Sequence, residues 1–60
     1  MDTVKITFVN GTYRTIANTN YENLRDCVIR RENFVVNGVT DTNQSVTYVT
    51  SNILTLEKVK

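Results

Sequence analysis

An α+β fold, a small antiparallel sheet with one helix packed on one face, is predicted by three features of the sequence. "VKITFV" from Val4 and "SVTYVT" from Ser45 alternate apolar and polar residues, the period-two pattern of half-buried strands. Asn10-Gly11 follows the first run and leads into "TYRTIA", rich in β-forming residues, so a hairpin is expected there. "TNYENLRDCVIRREN" then changes period, with Tyr21, Leu24 and Val28 spaced three and four apart as on one face of a helix. The order β-β-α-β-β-β follows, and a single helix can cover only one face of such a sheet.

In the first hairpin Val4, Ile6 and Phe8 share a face, with Lys5 and Thr7 opposite. Two turn geometries compete. A two-residue Asn10-Gly11 loop pairs Phe8 with Tyr13 and leaves Ile16 on the polar side. A three-residue Val9-Asn10-Gly11 loop, with Gly11 left-handed, pairs Phe8 with Thr12 and Val4 with Ile16. A one-residue slip reverses the facing of a whole strand. Burying one large aliphatic side chain is worth roughly 1.5–3 kcal/mol, so Ile16 favours the three-residue loop and turns Tyr13 away from the core.

Thr19 and Glu22 have the spacing of a capping box at the helix start. Cys27 lies beside the apolar stripe, and Asp26 can pair with Arg30 one turn on. Arg30 and Arg31 fall in the expected last turn, opposite the negative end of the helix dipole, with Asn33 as the stop. "FVV" at Phe34–Val36 reads as a short strand, and "NGVTDTNQ" as a turn-rich connection in which Asp41 serves the turn. Val46, Tyr48 and Thr50 share one face of the next strand, and Ser51-Asn52 marks a sharp bend. In "ILTLEKV" simple alternation sets Ile53 against Leu54 and Leu56, which leaves the facing of that strand open. Lys60 is expected to fray.

The 60 residues make one domain. A chain of this length buries only about 60% of the surface its unfolded form exposes. Small domains commonly add disulfides, a metal or oligomerisation. Cys27 is the only cysteine and there is no histidine, so oligomerisation is the remaining route and a homodimer is expected. The net charge of +1 recruits neither nucleic acid nor anionic lipid globally. No apolar run approaches the ~18 residues of a membrane span, and "MDTVKITF" places an acid where a secretion signal needs positive charge. A lone thiol fits a reducing compartment. A cytoplasmic protein without a membrane partner is therefore expected, in which the glycosylation-type triplets at Asn10 and Asn43 are chance matches.

Enzyme chemistry finds little support. Without histidine the commonest general base is missing. Asp2, Glu22, Asp26, Glu32, Asp41 and Glu57 are scattered rather than paired, and neither Asn-Gly opens a phosphate-binding helix. No cofactor or metal is expected, and Cys27 reads as a small apolar filler. The candidates for partner contact are Tyr13 and Tyr48, amphipathic anchors of the kind enriched at interfaces, with Arg14, Arg25, Arg30 and Arg31 from the basic inventory. The sheet face away from the helix, with Thr7, Val9, Tyr13, Thr15 and Leu54, is the expected docking side.

At "FVNGTYRTI" and "VTYVTSNILTLEKV" the sequence resembles two groups of proteins. Its Asn/Thr/Ile/Val-rich style and its strand-bend-strand ending are similar to small proteins encoded by phages and prophages of low-GC bacteria. That resemblance implies a chain that binds and blocks or redirects a host protein. The turn Val9-Asn10-Gly11, the segment "NYENL" and the tyrosine-led ending from Tyr48 to Leu56 resemble the Sm-like RNA-binding barrel. That implies a small barrel binding single-stranded nucleic acid. "TYRTIA" lacks the glycine of that family's second strand, and Val49 and Thr50 replace the basic residue after its closing tyrosine, so no nucleotide contacts carry over. The expected function is a non-enzymatic protein-interaction module, with the nucleic-acid-binding barrel as the alternative.

Overall fold

In a computed structural model, which describes residues 1–59, the chain forms one five-stranded antiparallel sheet and one helix. The strands are β1 (Asp2–Phe8), β2 (Tyr13–Thr19), β3 (Val35–Thr40), β4 (Ser45–Val49) and β5 (Ile53–Val59). The helix α1 (Tyr21–Ile29) joins β2 to β3, and a 3-10 turn (Thr50–Asn52) joins β4 to β5. The sheet order is β4-β3-β2-β1-β5. The expectation for Lys60 lies outside the described residues.

The first hairpin takes the three-residue loop. Phe8 N–H donates to the Thr12 carbonyl at 2.8 Å and Gly11 N–H to the Phe8 carbonyl at 3.0 Å, with Gly11 at φ 90°. Val4 consequently faces Ile16, and both are essentially fully buried. The same geometry recurs in the second hairpin, where Thr40 N–H reaches Gln44 at 2.8 Å and Asn43 N–H reaches Thr40 at 3.0 Å. There the left-handed residue is Asn43, at φ 66°, and the Thr40 hydroxyl accepts a further bond from Gln44 N–H.

Several local expectations are corrected. The helix cap is Asn20, not Thr19: its side chain accepts from Asn23 N–H at 3.0 Å, while Thr19 is still in β2 and Glu22 makes no cap. A bulge at Asn18, left-handed at φ 53°, places the chain's exit from the sheet one residue late. The helix also ends early. Arg30 is its C-cap, and Arg31 is left-handed at φ 57°, with Arg31 N–H bonded to Val28 and Glu32 N–H to Cys27. That is a Schellman ending with arginine where glycine is usual. Asp26 lies 3.8 Å from Arg25, and Arg30 lies 3.8 Å from Glu32, in place of the expected Asp26–Arg30 pair.

The second Asn-Gly is not a turn but the middle of β3. A Cβ on Gly38 would stand 2.8 Å from Ile16 Cγ2, so this glycine lets β3 close onto the core. In β5 a bulge between the Thr55 and Ile53 pairings sets Leu54 outside the ladder. Ile53 and Leu56, which simple alternation would separate, therefore both pack into the core.

The core is Val4, Ile6, Ile16, Leu24, Tyr48 and Ile53, with Phe8, Tyr21, Val28, Val36, Val46 and Leu56 against it. Helix α1 lies over β1, β5 and the 3-10 turn. The link between the sheet's two edge strands fixes its shape. Five flat strands would separate β4 from β5 by about 19 Å, whereas three 3-10 residues span only about 6 Å. The sheet must roll until its edges approach, and a bond from Val9 N–H to the Asn52 carbonyl at 2.8 Å joins the first hairpin to that link.

Candidate functional site

Rolling the sheet leaves an opening between the tip of the first hairpin and β4. It is a groove of about 410 Å³, lined by Phe8, Asn10 and Arg14 from the hairpin side and by consecutive β4 residues through Val49, with Asn52 at its end. Side chains of a strand alternate between faces. Four successive residues, Val46 to Val49, line the groove together, so the edge of β4 borders it.

That edge is open. Thr40 and Gln44 form a hydrogen-bonded pair at one end of the β3–β4 ladder, and Phe34 and Thr50 form another at the opposite end. Alternation between these ends directs the N–H and C=O groups of Ser45, Thr47 and Val49 away from β3. Among the described residues no backbone group bonds them from outside. The two sheet edges differ in character. β5 carries Glu57, Lys58 and the Leu54 bulge, features that discourage strand pairing, whereas "SVTYV" of β4 carries no charge and no bulge.

Arg14 stands directly across from Ile6, on the core-facing side of β2, and lines the groove. It donates to its neighbour's carbonyl, that of Tyr13, at 2.8 Å and forms no ion pair among the described residues. Asn10 uses its carboxamide oxygen to accept from the Thr12 N–H and hydroxyl at 3.1 and 2.7 Å, which leaves its NH2 group for other partners. The groove floor is aromatic, Phe8 and Tyr48 lying with ring centroids 6.1 Å apart.

The candidate residues do not converge. Tyr13 is 59% exposed on the outer face with Lys5 Nζ 4.8 Å above its ring, so it is open to contact but remote from Arg14's side of the sheet. Arg25 flanks Tyr21 on the helix, and Arg30 and Arg31 sit at the helix exit. Tyr48 requires correction as a surface anchor: it is 5% exposed and belongs to the core. Its hydroxyl has no hydrogen-bond partner among the described residues. Burial, with a smaller effect of Cys27, holds its phenol above the usual value. Of the expected docking face, Val9, Tyr13 and Leu54 are exposed, while Thr7 and Thr15 are half-buried. Sequence reasoning passed over Phe8, Asn10, Thr47 and Asn52 as groove residues; the available signal was the uncharged strand "SVTYV".

No helix among the described residues is long and apolar enough to cross a membrane. Comparison with protein-family models, curated proteins and solved structures finds no match to this chain.

Proposed function

We propose that this chain is a non-enzymatic protein-interaction module that accepts an extended polypeptide segment as an added strand on β4. The observation that carries this reading is the unguarded edge: five uncharged, unbulged residues whose outward backbone groups are unpaired, bordered by a groove for alternate side chains of the guest. Main-chain bonds to Thr47 and Val49 would supply affinity, and the groove would supply selectivity. Without a partner, two copies can pair β4 with β4, which is the homodimer that an undersized core makes useful. Such a module suits a phage or mobile-element protein that modulates a host protein in the host cytoplasm.

Thr47→Lys places a charge on the edge and Thr47→Pro removes an outward N–H without touching the β3–β4 ladder. Both variants should keep the wild-type circular dichroism spectrum and lose concentration-dependent self-association in analytical ultracentrifugation. Wild-type protein that stays monomeric and binds no extended peptide overturns the reading.

A second reading draws on Phe8, half-buried, and Arg14 in one groove, an aromatic ring beside a cation as single-stranded nucleic acid requires. The order β4, 3-10 turn, β5 is a strand, turn and strand like the ending of the Sm-like barrel, although Tyr48 stands near the end of β4 rather than leading it. Binding to a mixed-sequence oligonucleotide that falls steeply with salt would favour it.

A further inference from the structure

We propose that the guest strand on β4 carries an acidic side chain, which Arg14 receives inside the groove. This rests on the strand-addition reading and names what the groove selects. A strand added to β4 alternates its side chains between the outer face and the groove. On the outer face it meets Thr47 and Val49, with Val35, 71% exposed, directly across from Val49. On the inner side it meets the groove, whose lining residues include one arginine and no acid. The other polar lining residues on that side, Asn10, Thr12 and Asn52, offer amide and hydroxyl groups.

The absence of an acid from that lining separates possible occupants. Arg14 has no carboxylate partner among the described residues. A second copy of β4 brings only Val46 and Tyr48 to the inner side and leaves Arg14 unpaired. A foreign segment with Asp or Glu at one inward position supplies the missing charge, and the guanidinium can take a carboxylate in a two-point contact. Self-pairing is then the weaker use of the edge, displaced by a strand whose charge matches.

Selection of short random peptides displayed on phage, with the wild-type chain as bait, tests this. Recovered peptides should share an alternating apolar pattern with Asp or Glu at one fixed position. Replacing that acid by its amide in a synthetic peptide should weaken binding roughly tenfold or more. With Arg14→Glu as bait, the preference at that position should invert to Lys or Arg, an inversion that mere loss of folding cannot produce. Peptides without an acidic position, or affinity unchanged by Arg14→Glu, overturn the Arg14 assignment while the edge reading stands if Thr47→Pro and Thr47→Lys still abolish binding. Peptides indifferent to both Thr47 variants, or recovery of none, overturn the edge reading and this inference with it.

Discussion

Arg31 is a bulky residue held at φ 57° in a position that glycine fills without strain. Left-handed backbone costs an L-residue roughly 1–2 kcal/mol, partly offset in a glycine variant by the freer unfolded chain. Arg31→Gly should therefore stabilise by up to about 1 kcal/mol in urea unfolding. A loss of stability would mean that the guanidinium does more than cap a helix. Tyr48 presents the opposite case, a buried ring with an unpartnered hydroxyl. Leaving such a group unsatisfied costs about 1–3 kcal/mol, so Tyr48→Phe should be neutral or stabilising. Its folded pKa is raised, so its contribution is full below the ordinary value of 10.0 and is lost as pH climbs through the folded value. The phenylalanine variant should lack that alkaline loss. Neither residue is legible in the sequence: pattern places Arg31 inside the last helical turn, whereas it lies just past the C-cap Arg30, and composition marks tyrosine as an interface residue whether or not it is covered. Ile16 was legible because only one hairpin loop length buries it.

Besides the apolar packing of Leu24, Tyr21 and Val28, two polar ties hold the helix and its exit to the sheet. At its start the Asp2 carboxylate accepts from Tyr21 N–H at 3.2 Å and lies 3.6 Å from Lys58 Nζ. The Tyr21 bond, with Lys58 a smaller effect, holds the Asp2 pKa below 3.8. The resulting stability is present above that value and lost as pH falls through the folded pKa. Asp2→Asn should flatten the acid limb of an unfolding-versus-pH curve and leave the alkaline limb alone. Beyond the helix, buried Thr50 donates its hydroxyl to the Glu32 carbonyl and accepts from Phe34 N–H, each at 2.8 Å. Thr50→Val keeps the shape and orphans both groups, for an expected loss of about 2 kcal/mol by chemical denaturation. Thr50→Ser should retain most of it. Sequence periodicity located the helix through Tyr21, Leu24 and Val28 but missed these ties, because bonds between residues 16 to 19 positions apart leave no local pattern. The same limit hid the second half of β3, whose Asn37-Gly38 imitates a turn until Ile16 is brought against it. Gly38→Ala should cost about 1–3 kcal/mol in the same assay, as overpacking does.

The fold class could be read from the chain because alternation, turn chemistry and helix period agree along most of it. The groove could not, since it exists only once the sheet rolls, and the residues around it come from opposite ends of the sequence. Folding follows the same geometry. β1 holds Val4 and Ile6 at the centre of the core and pairs on one side with β5, matching Phe8 to Ile53. No local hairpin can complete that pairing; the chain must close a loop running through nearly every other element first. Closing long loops before any contact rewards them slows folding. The molecule should thus fold slowly for its size, the β1–β2 hairpin forming by local contacts before the β1–β5 pairing closes. Until β5 arrives, the edge of β1 opposite β2 lies open to whatever strand reaches it first.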